Sequence, residues 1–479
     1  MSVKLTRKLA LMMALLYAGQ TLFAQDTTKA TINKVGQTPF AQSLDSTKVK
    51  SEASNSSKVD TAKKLNTLII SLEFRPRTEF RHGYRTLMPY SDTGAAFFTG
   101  SRTRLNFAYS TKNFDLYTSL TDVYVWGQND ARSNSGPGNS YFQLFEMYAE
   151  PHFSNKFSVR FGRQRISYDN QRLFSENDWR QLGHSHDALK LIYNNKINFT
   201  NEFSTAFNQS KENVFSTKYM PLGFVNYKVL LVDYLNWKLS KNFVLTTINA
   251  ADGYQSSDPA KYKTTYMRFT NGGRIEYNSY NWYLTMSGYY QYGKDSSGRK
   301  LDAYYIQPEI KYSGIKNLAI RLGFQYMSGQ DATKVYDGNG KPYTTDNSFV
   351  PLYTTGHGFN GSLDWFGNFP ADLGGAGLVN PYLFFWYTNN KLTVRFDNHL
   401  FYSQNNYVYQ GSILKKFLAY ENDWRVIYKV NSFITIDGGF SWALPTSAFG
   451  IIRKGDYKKT QYWSYVMFRF TPTIGKFTF

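Results

Sequence analysis

Leu68-Ile69-Ile70-Ser71-Leu72-Glu73-Phe74-Arg75-Pro76-Arg77-Thr78-Glu79-Phe80-Arg81 is the stretch on which the fold turns. Leu68, Ile70, Leu72 and Phe74 share one parity; Glu73, Arg75, Arg77, Glu79 and Arg81 share the other. Successive side chains of a strand point to opposite faces, so one face is apolar and the other ionic. A charge turned toward lipid costs roughly 2–4 kcal/mol near the bilayer midplane, so the ionic face must look into water.

Working outward, segments of the same kind follow at roughly 101–110, 113–126, 141–151, 156–166, 186–194, 197–208, 224–239, 242–253, 264–278, 280–292, 301–312, 317–328, 379–389, 391–403, 417–430, 432–443 and 460–471. Even-to-odd joins are tight, as at Ser110 to Asn113, Asn194 to Lys196, Ser279 to Asn281 and Asn389 to Lys391. Odd-to-even joins are longer, and the longest runs from about Gly329 to Val379. An even number of antiparallel strands with short periplasmic turns and long extracellular loops predicts an all-β transmembrane barrel of about eighteen strands in an outer membrane.

Composition agrees. Mean hydropathy is −0.47, yet 18% of residues are aromatic, which suits strands that are polar inside and girdled by aromatics at both interfaces. No apolar run of about twenty residues follows the N-terminus, so no spanning helix is expected. Cysteine is absent, which removes disulfides, thiolate metal sites and a Cys nucleophile. Lys4, Arg7 and Lys8, then Leu9 to Ala18, then Leu22-Phe23-Ala24-Gln25 read as a signal peptide over 1–24. Residues 25–66, polar with Phe40 the sole aromatic, read as a disordered periplasmic tail, and 67–479 as the barrel. Of the net charge of +20, three charges lie in the leader and three in the tail, which leaves an excess of fourteen on the barrel. Val466, Phe468 and Phe470 alternate near an aromatic end at Phe477 and Phe479, the pattern expected of a strand read by the barrel-assembly machinery.

Parity turns Arg75, Arg77, Arg102, Arg104, Arg160, Arg268, Arg321, Arg395 and Arg425 inward, with Glu73, Glu79, Glu146, Glu150, Glu309 and Asp397 among the acids. One reading is a mixed-charge ladder that holds the wall together. The other is a surplus of guanidinium groups that attracts anions along the lumen. Gly183-His184-Ser185-His186-Asp187 offers no third metal ligand and no oriented base, and Asp337-Gly338-Asn339-Gly340 reads as a turn rather than a calcium loop. Gly272-Gly273 and Gly438-Gly439 mark bulges or close approach. No cofactor, resident metal, catalytic group or nucleic-acid partner is expected.

Several motifs resemble the bacterial alginate-export porins, in a Bacteroidota-like version. They are Ser101-Arg102-Thr103-Arg104-Leu105, Phe161-Gly162-Arg163-Gln164, Tyr168-Asp169-Asn170-Gln171-Arg172-Leu173, Asp178-Trp179-Arg180 and Asp187. A second block comprises Ser328-Gly329-Gln330-Asp331, Pro351-Leu352-Tyr353, His357, Phe359-Asn360-Gly361 and Asp364. The resemblance implies an arginine constriction at Arg102, Arg104, Arg163, Arg172 and Arg180, oriented by Glu146 and Glu150, through which an anionic polyuronate passes. Arg163 and Arg165 have lipid-facing parity, so they must sit above the membrane or follow a bulge. The family's long gating turn has no counterpart among the short periplasmic turns here.

The expectation is a monomeric outer-membrane channel, in contact with lipid and lipopolysaccharide, passing anionic solutes or polysaccharide through a basic lumen. The alternative is a structural or adhesive barrel whose lumen is sealed by the loops at 329–378 and 126–141. An outer-membrane hydrolase would need a Ser/His pair at the rim, and none with sound geometry is legible.

Overall fold

The alternation of the opening stretch becomes strand β1, Thr67–His82, with Arg75, Arg77 and Glu79 buried and Phe80 exposed. The computed structural model describes residues 66–479 apart from 92, 129–140, 210–211, 213, 215–225, 257, 262 and 335–343. The expected leader, the tail up to residue 65 and the turn at Asp337 to Gly340 lie outside the described residues.

Seventeen further spanning strands follow. The first eight are β2 Ala96–Ser110, β3 Phe114–Val125, β4 Gln143–Pro151, β5 Phe157–Gln164, β6 His186–Asn194, β7 Phe199–Phe207, β8 Val229–Lys238 and β9 Phe243–Gln255. Next come β10 Thr265–Ser279, β11 Trp282–Lys294, β12 Lys300–Ile315, β13 Leu318–Met327, β14 Leu378–Asn389 and β15 Leu392–Ser403. The last are β16 Phe417–Lys429, β17 Ile434–Pro445 and β18 Gln461–Phe470, which resumes after Pro472 as Thr473–Thr478. β18 returns to β1, pairing His82 with Tyr462 at one end and Leu68 with Phe477 at the other. Closure satisfies every ladder and leaves no edge, which lipid demands because it offers no hydrogen bonds.

The outer wall carries Leu231, Met286, Leu322, Leu383 and Val466 at mid-height. Phe157, Tyr193, Trp237, Tyr277, Trp282, Tyr387 and Tyr428 form a girdle at the periplasmic strand ends, all exposed. A closed eighteen-strand barrel with such a band belongs in the outer membrane. One connection departs from the expected length pattern: β11–β12 is joined by residues 295–299 alone, where Asp295 accepts the backbone N–H groups of Ser297 and Arg299.

The register explains two local surprises. Between β3 and β4 it slips at Ser119/Leu120, which makes Phe145 an extra residue and turns it inward beside Glu146. At the paired glycines the ladders run on without a slip, so they are close approaches and not bulges. A Cβ on Gly439 would stand 2.2 Å from the ring of Tyr465.

On the long-loop side, residues 165–185 and the described part of 328–377 fold into the barrel. Residues 165–185, between β5 and β6, run along the inner wall of β1 and β2. Residues 328–377, between β13 and β14, carry buried Phe349, Leu363, Trp365 and Phe366. Phe449 of the short helix α1, Ser447–Arg453, packs against Trp365 and Phe366. Trp365 Nε1 donates to the carbonyl of Gly83, which ties this loop to the end of β1.

Candidate functional site: an arginine clamp on an inward loop

Arg75 and Arg77 on β1 and Arg102 and Arg104 on β2 point inward side by side, because β1 and β2 pair Arg75 with Arg102 and Glu73 with Arg104. Like charges so close need acceptors. Glu73 supplies one carboxylate, accepting from Arg102 Nη2 at 2.6 Å. The second comes from Asp178, whose Oδ1 lies 2.9 Å from both Arg102 Nη2 and Arg104 Nη1. Its Oδ2 lies 3.4 Å from Arg75 Nη1 and 3.7 Å from Nη2 of Arg469 on β18.

The arginines also take the backbone of the loop. Arg75 donates to the carbonyls of Asp178 (2.7 Å) and Arg180 (2.9 Å), and Arg77 to that of Trp179 (3.0 Å). Arg102 donates to the carbonyl of Gln181 (3.3 Å), and Arg104 to that of Leu182 (3.3 Å). A loop without a ladder would leave these carbonyls unsatisfied in a buried place. A guanidinium has five donors in a rigid fork and can serve carboxylate and carbonyl together. The arginine ladder therefore replaces a strand partner for residues 178–182.

The clamp fixes what the loop tip presents. Trp179 stacks on His357 (ring centroids 4.3 Å, 5° apart) with Arg77 4.6 Å from its ring. Arg180 is exposed to the lumen and has no carboxylate within ion-pair distance among the described residues. Burial by the surrounding barrel, and then Arg85, pull its pKa below the ordinary arginine value. Arg85 is itself half exposed, 3.9 Å from Asp364 and held at φ 65° with its N–H donating to the carbonyl of Leu363.

The remaining expected site residues fall into three groups. Arg160 pairs with Glu150 (2.7 Å), Arg425 with Asp437 (2.6 Å), Arg268 with Asp252, Arg321 with Glu309 and Arg395 with Asp397. These are wall pairs. Glu146 holds Arg165 (2.9 Å) and Glu150 holds Arg160, so neither acid orients Arg102 or Arg104. Arg172 is buried between the two inward loops, its guanidinium 4.8 Å from the ring of Phe359 and 5.3 Å from that of Tyr305.

Three expectations need correction. Arg163 does not line the lumen: it lies on the outer face at the extracellular end of β5, in a two-point pair with exposed Asp187. Its odd parity, set by inward Arg160 and Gln164, sends it there. Arg165 follows the end of β5 and turns inward to Glu146 and Glu176. Arg102 and Arg104 are buried, 0% and 6% exposed, so they hold the loop and do not face a passing solute. Phe145 was not expected at all; through the bulge it lies 4.0 Å from the Arg104 guanidinium. In the His184 to Asp187 stretch, His184 meets Asn177 and His186 meets Tyr227.

No protein-family profile matches the sequence, and no curated protein does. Solved structures do match. OccK2 (OpdF) of Pseudomonas aeruginosa superposes with a TM-score of 0.57 at 12% identity, over 85% of this chain and 98% of that one. OpdK of the same organism, solved with vanillate, gives 0.55 at 9%, over 85% and 99%. OccAB2 of Acinetobacter baumannii gives 0.55 at 14%, over 85% and 98%. The chain has the fold of an outer-membrane porin. The alginate-export family is not what these comparisons match.

Two carboxyls of the inward loop titrate in opposite senses. Burial raises Asp178, but Arg102, Arg75 and Arg104 outweigh it and hold its carboxyl well below the usual range. A depressed carboxylate stabilises above its unfolded pKa of about 3.9 and loses that stability only as pH falls through the lower folded value. Asp169, which accepts from the Tyr234 hydroxyl at 3.0 Å, is pushed up to about 6 by burial. Its charge therefore costs stability as pH rises from its unfolded value of 3.8 through about 6. Between about pH 5 and 7, where Asp178 stays charged, residues 165–185 should therefore stay equally resistant to protease. Asp169→Asn should raise the thermal midpoint at about pH 7.5 and leave it unchanged near pH 3. A midpoint gain of equal size at both pH values would refute the burial account.

Proposed function

We propose that this barrel is an outer-membrane channel for small anionic solutes, which pass a basic face formed by Arg180 and Arg85. The observation that carries the reading is the exposed Arg180 guanidinium, without a carboxylate at ion-pair distance among the described residues, on a loop clamped against the wall. Most other inward arginines are consumed by ion pairs and Arg172 is buried among aromatic rings, so the clamp converts a buried arginine surplus into a presented basic face. Low-dielectric walls focus such a charge and enrich anions near it. OccK2 of Pseudomonas aeruginosa has been solved with glucuronate and OpdK with vanillate, both carboxylates. The two-point geometry of guanidinium with carboxylate fits that class. An alginate-like polyuronate, as the resemblance implies, is the larger member of the same class. In this reading the barrel acts as a monomer, wetted by lipid and lipopolysaccharide outside and by solute within.

A specific feature favours the sealed, structural alternative: the apolar packing of residues 349–373 under the mouth. Planar-bilayer recording separates the two. Under a salt gradient the reversal potential should report anion preference, and glucuronate should reduce the current at lower concentration than a neutral sugar. If oligouronates block more tightly with each added unit, the path accepts the polymer; if only the monomer acts, it is a small-solute channel. A silent bilayer would favour the sealed barrel.

A further inference from the structure

Asp115 is the second residue of β3, Glu150 the penultimate of β4, and His152 comes just after β4, all at the periplasmic rim. Parity turns all three inward, and their donor atoms lie within 4.8 Å of one another. His152 Nε2 stands 3.1 Å from Asp115 Oδ2 and 4.0 Å from Glu150 Oε1. The backbone fixes this in advance: the His152 N–H donates to the carbonyl of Asn113 at 2.8 Å, and His152 bridges to Ser158. Glu150 is oriented through its other oxygen, which accepts from Arg160 Nε at 2.7 Å.

We propose that Asp115 Oδ2, Glu150 Oε1 and His152 Nε2 bind a divalent transition-metal ion, with zinc as the working case. One imidazole nitrogen and two carboxylate oxygens form a borderline donor set, which suits zinc better than calcium or magnesium. Zinc bonds of about 2.0–2.2 Å place tetrahedral donors about 3.3–3.6 Å apart. The two His152 separations, 3.1 and 4.0 Å, bracket that range, so a small rotation of Glu150 completes three ligands. The Ser158 hydroxyl, 2.9 Å from Glu150 Oε1, is placed to supply a fourth oxygen or to orient a water. Arg160 on the far oxygen of Glu150 fixes that ligand as an outer partner. Bound there, the ion pins the β3–β4 pair at its periplasmic end and adds positive charge to the mouth. The competing account is a plain side-chain contact between His152 and Asp115 with no ion.

The test is a zinc titration of the whole, untagged protein in detergent, stripped with a chelator beforehand and read by competition with a colorimetric chelator. The expected result is one zinc per chain, weakened at least ~10-fold in both His152→Ala and Asp115→Asn. Circular dichroism verifies the barrel in each variant; should His152→Ala fail to fold, Asp115→Asn decides alone. Wild-type affinity weaker than about 1 mM, or a titration that Asp115→Asn leaves unchanged, overturns the site and leaves the plain contact.

Discussion

Asp178→Ala is expected to release the inward loop while the barrel stays closed. The carboxylate touches Arg75, Arg102, Arg104 and, at longer range, Arg469. Its removal leaves those arginines with Glu73 as their shared acid. Breaking a buried charge set by deleting one partner costs about 3–5 kcal/mol, because the remaining charges stay buried. That loss falls on a loop anchored through the same arginines, so it should appear as local opening and not as unfolding of the wall. Residues 165–185 should become open to protease, and single-channel conductance should rise and grow noisy. Asp178→Asn should give a milder form, since the amide oxygen still accepts hydrogen bonds. Unchanged proteolysis in both variants would show that the backbone carbonyls alone hold the loop.

Arg180→Glu carries the second large effect, and it acts on ions rather than on the fold. The side chain is exposed and makes no ion pair at its place, so reversal removes no packing. It changes the lumen charge by two at a point on the proposed solute path. Unit charges a few ångströms apart, between water-like and protein-like screening, should alter the anion-to-cation permeability ratio ~3–10-fold. Glucuronate block should weaken in parallel. Arg102→Ala makes the informative contrast: it removes a single positive charge and acts through the clamp, so conductance should change more than selectivity. If Arg180→Glu leaves the reversal potential where it was, the basic face does not select.

The wall was legible because period-two patterning is a local signal. In β1 every inward charge and outward apolar residue could be assigned by counting, and the closure of β18 on β1 followed from an even strand number. The site was legible only as a set of inward arginines. Counting says that Arg102 points inward; it does not say that a loop nearly eighty residues further on will occupy its donors. Asp178 carries the signal that was available: an acid in a turn-rich stretch, facing four inward arginines of β1 and β2 that their own strands answer only with Glu73 and Glu79. Arg163 shows the opposite case. Its parity pointed outward, and the resemblance drew it inward; the parity was the better guide. Phe145 could not have been found by counting, because a bulge shifts the count.

The four arginines around Asp178 do not sit on one side of the barrel's closing seam. Arg75 belongs to β1 and Arg102 and Arg104 to β2, whereas Arg469 belongs to β18, the last strand to arrive. Glu73 repeats the bridge, accepting from Arg102 at 2.6 Å and lying 3.8 Å from Arg469. The loop tip is thus a staple driven across the join between the first and last strands. Parting that join would separate the same charges that hold the tip, so loop and seam share one lock.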